Sequence, residues 1–190
     1  MGTSNWQNLS YCVELIRQAA PSSVLDIGVG FGRWGMLCRE FLDVWQGHVF
    51  REQWQTRIEG VEVFPKNVDD YHPYFYNHIY IGDAYELMMN QQLGAYDLII
   101  MGDVLEHFER ERGTALLEAC LKQCRSLLLN VPIGPDWPQG AEYGNEYETH
   151  RSIWTEEELD RYPTASKHMF KDYIQRDFAT YLFHGAQPHG

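Results

Sequence analysis

From Val24 to Gly35 the chain carries a short apolar run holding Asp26. Glycines follow at Gly28, Gly30 and Gly32, and a helical pattern opens with Arg33 and Trp34. Closely spaced glycines let a backbone turn tightly and approach a ligand without side chains in the way. The helix behind them offers free N–H groups at its N-terminus. A strand, turn and helix of this kind points to a nucleotide-like cofactor bound at the carboxyl ends of parallel strands. Gly30 to Gly35 matches the dinucleotide pattern G-x-G-x-x-G. That site also wants an acid about 20 residues further on, whereas the nearest strand-end acid, Glu62, stands 32 residues beyond Gly30. Asp26, two residues before the first glycine, is the sharper clue. At the mouth of such a site it repels a pyrophosphate and attracts a cation.

The elements that must position these residues follow from apolar spacing. A helix over 6–20 stops at Pro21, and a first strand over 24–27 enters the glycine turn. A helix over 32–45 is capped by Gly47; 48–55 is a polar, aromatic connector with no assigned structure. The second strand, 57–63, carries Glu62, and 64–77 holds a short helix and an irregular turn around Pro73. A third strand over 78–81 leads to Asp83, the N-cap of a helix over 84–91. The continuous apolar run 96–101 suits the centre of a parallel sheet. A helix over 109–122 precedes a fifth strand over 126–131. Residues 133–153 are irregular and rich in Gly, Pro and acids, a long connection of the kind that forms a lid or substrate loop. Thr155 and Glu158 open a helix as a capping box, ending near Tyr162. Strands over 167–174 and 178–183, joined by a turn near Gln175, close the chain, and 185–190 is expected to fray.

Asp26-x-Gly28-x-Gly30-x-Gly32 resembles motif I of the class I S-adenosylmethionine-dependent methyltransferases. Glu62, Asp83 and the phrase D-V-L-E-H from Asp103 to His107 follow in the family's order. The run from Tyr143 to Thr155 is similar to a segment of bacterial small-molecule methyltransferases. The resemblance spans residues 6–184 and implies a three-layer, Rossmann-like α/β fold, with a mixed seven-stranded sheet ending in an antiparallel hairpin. It implies S-adenosylmethionine as cofactor and S-adenosylhomocysteine as product. Asp26, Gly28, Gly30 and Gly32 then surround the cofactor, and Glu62 accepts hydrogen bonds from both ribose hydroxyls. Asp83, with Ala84 beside it, stands at the adenine, and Asp103 orients the methionine end or the acceptor. The D/N-P-P-Y sequence that accompanies methylation of adenine or glutamine amino groups is absent, which points by analogy away from those substrates.

Methyl transfer from a sulfonium is a direct displacement in which positioning carries much of the catalysis. A hydroxyl acceptor also needs a base, and histidine is the best one near neutral pH. His107, just after the fourth strand, and His150, in the proposed lid, are the candidates. Asp103, Glu106 and His107 show no diagnostic metal spacing, so no metal is expected. Trp137, Tyr143, Tyr147 and Trp154 either wall a substrate pocket or glue the loop down.

The length suits one domain over 1–190, with an ordinary hydrophobic content of 44%. A net charge of −12, from 15 Lys and Arg against 27 Asp and Glu, disfavours nucleic acid and anionic membrane surfaces. No apolar run approaches the ~20 residues of a spanning helix, and no secretory signal is seen near the first residues. Cys12, Cys38, Cys120 and Cys124 read as reduced thiols of a cytoplasmic protein, the last two one helical turn apart. The expectation is methyl transfer to a small-molecule hydroxyl; a nitrogen acceptor, or a partner module that binds the cofactor without catalysis, is the alternative. With almost no accessory segment, the pocket is built from the N-terminal helix and the 133–153 loop. That suits a compact substrate, or one presented by a partner or by the mate in a homodimer.

Overall fold

The computed structural model describes residues 5–187. Strands β1 (Ser23–Ile27), β2 (Arg57–Glu62), β3 (His78–Ile81), β4 (Tyr96–Gly102), β5 (Cys124–Pro132), β6 (Thr164–Lys171) and β7 (Asp177–His184) form a seven-stranded sheet in the order β3-β2-β1-β4-β5-β7-β6. The first five run parallel, and β7 inserts antiparallel between β5 and β6. From β1 the chain steps outward to β2 and β3, then crosses back to β4 on the other side of β1. The strand ends diverge at that switch, which is where open α/β sheets bind ligands.

Strand side chains alternate between the two faces. Val24, Ile58, Leu98, Ile100 and Leu128 face α1 (Leu9–Ala19) and α2 (Arg33–Leu42), packing with Cys12, Ile16, Trp34 and Cys38. Leu25, Ile27, Ile99, Met101, Leu127 and Leu129 pack on the other face with Met88 of α4 (Ala84–Met89) and Leu116, Leu117 and Cys120 of α5 (Arg110–Gln123). All four cysteines are free and buried. The expected three layers are present, and no helix of the described residues is long and apolar enough to cross a membrane.

Several boundaries differ from the sequence reading, each for a local reason. Cys124 opens β5 instead of following Cys120 on the helix, because its backbone pairs with Tyr96. Pro73 lies in the first turn of α3 (His72–Phe75), where its missing N–H costs nothing. The capping box at Thr155 and Glu158 forms, but α6 (Glu156–Leu159) is a single turn. The closing hairpin turns earlier than expected: Tyr173 and Ile174, read as strand, are exposed. Buried Asp172 is the cause, since its carboxylate accepts from the Ile174 and Arg176 amides and from Arg176 Nε. The tail is pinned at 185–187, where Gly185, Ala186 and Gln187 donate to the carbonyls of Arg125, Leu121 and Cys124; residues 188–190 lie outside the described residues.

The unassigned 48–55 connector is held by Asp43, fully buried at the end of α2. Asp43 accepts from Arg39 Nη1 at 2.6 Å and from the amides of Gln55 and Thr56 at 2.7 and 3.1 Å. Arg39 in turn lies 4.6 Å from the Trp54 ring. Breaking a buried pair leaves an uncompensated charge, so Asp43→Ala should lower the unfolding free energy by about 3–5 kcal/mol in urea titration.

Candidate functional site

The glycine turn after β1 is clamped from several sides. The Gly28 and Val29 amides donate to the Val61 carbonyl. The Gly30 amide donates to Glu62 Oε2 at 2.8 Å, and the Phe64 amide donates to Oε1 at 2.8 Å. His72 Nδ1 accepts from the Asp69 amide, so Nε2 carries the proton and donates to the Gly30 carbonyl at 3.1 Å. Gly28 has φ +81°, and a Cβ there would meet Val104 Cγ2 at 2.4 Å. Only glycine fits both the left-handed backbone and the space.

Asp26 is not at the mouth of the site. Strand alternation puts it on the Val24 face of β1, fully buried, where the Tyr76 hydroxyl donates to Oδ2 at 2.5 Å and accepts from the Gly35 amide at 3.1 Å. Burial pushes its carboxyl up to about 8, opposed by the Tyr76 hydrogen bond and assisted by the Glu62 charge. Gly32 likewise lies off the cavity: it is the N-cap of α2 at φ +84°, and a Cβ there would crowd His72. Asp26 and Gly32 build the turn instead of lining the site.

A cavity of about 530 Å³ opens above the carboxyl ends of β1, β2 and β4. Gly28, Gly30, Glu62, Asp83, Ala84, Asp103, His107 and His150 all line it. Asp83 caps α4, accepting from the Tyr85 and Glu86 amides, and its other oxygen pairs with Arg112 at 3.2 Å. Asp103 sits at φ +56° beyond β4 and accepts from the Asn5 amide at 3.2 Å. Besides the buried Glu106 carboxyl, five carboxylates (Glu62, Asp83, Asp103, Glu109, Glu148) face four guanidiniums (Arg33, Arg112, Arg151, Arg176) around the cavity. That excess favours a cationic ligand over a pyrophosphate.

The 133–153 loop covers the other end. Trp137 and Tyr147 line the cavity, Tyr143 is exposed, and Trp154 is buried in the core with Arg110 4.0 Å from its ring. Arg176 lies 3.7 Å from the Trp137 ring, whose Nε1 donates to the Asp177 carbonyl. His107 and His150 meet with ring centroids 5.0 Å apart. Burial lowers the pKa of each, so both rings are neutral near pH 7. Glu106, 2% exposed, stands beside them, and burial together with the Asp103 charge holds its carboxyl well above the usual range. The pairing of His107 with His150 had no local signal, nor did the roles of Tyr76 and His72. The N-terminal helix covers the sheet, and Asn5, ahead of it, reaches the cavity.

No protein-family model matches the sequence, and no curated protein sequence matches it. Solved structures resemble it closely in shape. TehB from Haemophilus influenzae superposes with a TM-score of 0.66 at 15% identity, over 93% of this chain and 62% of its own. This chain therefore spans less than two thirds of TehB. A SAM dependent methyltransferase from Archaeoglobus fulgidus gives a TM-score of 0.62 at 15% identity over 92% of this chain and 93% of its own. The chain has the fold of these methyltransferases. A third neighbour, magnesium protoporphyrin IX methyltransferase (ChlM) from Synechocystis PCC 6803, was solved with bound SAM and gives 0.61 at 15% identity over 94% and 79%. The methyltransferase fold accounts for the antiparallel β7, where a dinucleotide-binding domain would add another parallel strand.

Asp26 gives the turn a pH dependence. Its folded pKa of about 8 lies above an unfolded value of about 3.9. The stabilisation is therefore full below about pH 4 and is lost as pH rises through about 8. Urea titrations should show the wild type losing on the order of 3 kcal/mol between pH 5 and pH 8 relative to Asp26→Asn, whose amide does not ionise.

Proposed function

We propose that this protein transfers a methyl group from S-adenosylmethionine to a hydroxyl of a small-molecule acceptor. The observation that carries the reading is the acidic cavity at the sheet's switch point, with Glu62 clamped beneath the glycine turn at its centre. An ionised carboxylate offers about four lone-pair positions, and backbone amides use one on each Glu62 oxygen. The remainder suit two ribose hydroxyls. Asp83 and Ala84 then border the adenine, and Gly28 and Gly30 let the cofactor lie against the backbone. Asp103 faces the methionine end, and its charge complements an ammonium group. Asp26 acts through the turn, without touching the ligand.

The acceptor end is bounded by the 133–153 loop, His107 and His150. In the reaction an acceptor oxygen forms a bond to the methyl carbon as the carbon–sulfur bond breaks, and the electron pair leaves on sulfur. Neutral imidazoles at this end are able to take the acceptor's proton, His107 from the segment after β4 and His150 from the loop itself. Two neighbours of the same fold, ChlM and the N-terminal domain of EvdMO1, were solved with SAM and with SAH and D-fucose respectively, which supports a cofactor of this chemistry here. The four buried free thiols suit a reducing compartment such as the cytoplasm.

Thermal unfolding with S-adenosylhomocysteine and with S-adenosylmethionine, in separate titrations, tests the reading. Ligand at 100 times its dissociation constant should stabilise the wild type by about 2.7 kcal/mol. Glu62→Ala should lose most of that shift, and NAD(H) should produce none. No shift with either adenosyl ligand, or a shift with NAD(H) alone, would sink the assignment.

A further inference from the structure

We propose that Glu106, His107 and His150 form a binding site for one divalent transition-metal ion at the acceptor end of the cavity. Their donor atoms all lie within 4.8 Å of one another. A tetrahedral ion bound at about 2.0–2.1 Å spaces its ligands by about 3.3 Å. The donor atoms would have to draw together by up to about 1.5 Å on binding.

Each member is prepared for the role. Carbonyl oxygens only accept, so His150 Nδ1, 2.7 Å from the Trp137 carbonyl, carries the ring proton. His107 Nδ1 faces the Thr149 carbonyl at 3.3 Å in the same way. His150 thereby presents Nε2 as its lone-pair atom, and a carbonyl holding the distal N–H is the usual support behind a metal-binding histidine. Glu106 supplies the oxygen donor. It is 2% exposed, its Oε2 has no hydrogen-bond partner, and no lysine or arginine among the described residues pairs with it. A buried carboxylate in that condition is costly unless a cation compensates it.

Two imidazole nitrogens and one carboxylate select a borderline ion such as Zn²⁺, Fe²⁺ or Co²⁺ over the all-oxygen preference of Mg²⁺ and Ca²⁺. Three protein ligands would leave positions open, as in catalytic metal sites, and all three residues line the cavity. On the methyl-transfer reading, on which this consequence rests, an acceptor hydroxyl would take one of them, the ion would ease loss of its proton to water, and the histidines would serve as ligands in place of bases. The site also joins two segments. Glu106 and His107 follow β4 and His150 belongs to the 133–153 loop, so a bound ion ties the loop to the sheet.

The test uses the full chain, free of tags and stripped with chelator. It is titrated with Co²⁺ and Zn²⁺ by calorimetry and by the visible absorption of bound Co²⁺. One ion per chain is expected, with Mg²⁺ weaker by roughly tenfold or more. His150→Ala and Glu106→Gln should each weaken binding by roughly tenfold or more, and His168→Ala, away from the cluster, should not. Zn²⁺ should slow proteolytic cleavage within 133–153 in the wild type and in His168→Ala, and not in His150→Ala or Glu106→Gln. Circular dichroism establishes that each variant is folded. Should Glu106→Gln fail to fold, His150→Ala, altered in a half-buried loop side chain, decides the matter. Absence of saturable binding, or binding unchanged in the folded variants, overturns the proposal. S-adenosylhomocysteine titration of the same samples separates the two readings: its binding without metal binding removes the metal site alone, and the reverse removes the cofactor assignment alone.

Discussion

The architecture depends on one constraint: the backbone after β1 must turn three times through left-handed conformations and then stay still. Gly28, Gly30 and Gly32 permit the path, but freedom alone would leave it mobile. It is fixed by hydrogen bonds from different directions. Glu62 takes the Gly30 amide, His72 gives a proton to the Gly30 carbonyl, and Val61 receives the amides of Gly28 and Val29. Under the turn, Tyr76 bridges Asp26 and the Gly35 amide, so β1, α2 and the segment before β3 are tied through one phenol. Gly35 makes this possible, since a Cβ there would lie 2.2 Å from Tyr76 Cζ. Positioning of this kind is what a displacement reaction demands of a protein.

The two ends of the cavity are built differently. The end above β1, β2 and β3 consists of strand termini and helix caps, whose geometry is set by the backbone ladder. The other end comes from the 133–153 loop and Arg176 in the hairpin turn, held by individual side-chain contacts such as Trp137 to the Asp177 carbonyl and Gln139 to the Glu148 carbonyl.

Legibility in the sequence followed the range of the interaction. Strands such as 78–81 and the buried run of β4 were readable because apolar patterning is local, and the capping box at Thr155 because its partners lie three residues apart. Glu62, Asp83 and Asp103 fell at the cavity because each ends or follows a parallel strand, and the strand ends share one edge. Asp26 was misplaced because it was judged by its distance from the glycines. Its pleat position decided its direction, and Tyr76, fifty residues away, decided its partner. The convergence of His107 and His150, 43 residues apart, is a property of the loop's path, which no periodicity encodes. The hairpin shift came from a single buried side chain, Asp172, whose backbone partners at Ile174 and Arg176 leave no mark in the apolar pattern of 167–174.

The distribution of the four thiols has a practical consequence. Cys12 and Cys38 lie in the core beneath α1 and α2, while Cys120 and Cys124 lie in the core beneath α4 and α5. None is reachable in the closed state, and burial raises the pKa of every one. Alkylation therefore proceeds only through openings of the surrounding structure. Because the pairs belong to opposite faces, the order in which they react reports which side of the sheet loosens first. The wild-type chain thus carries its own two-channel probe of local unfolding, with no label introduced.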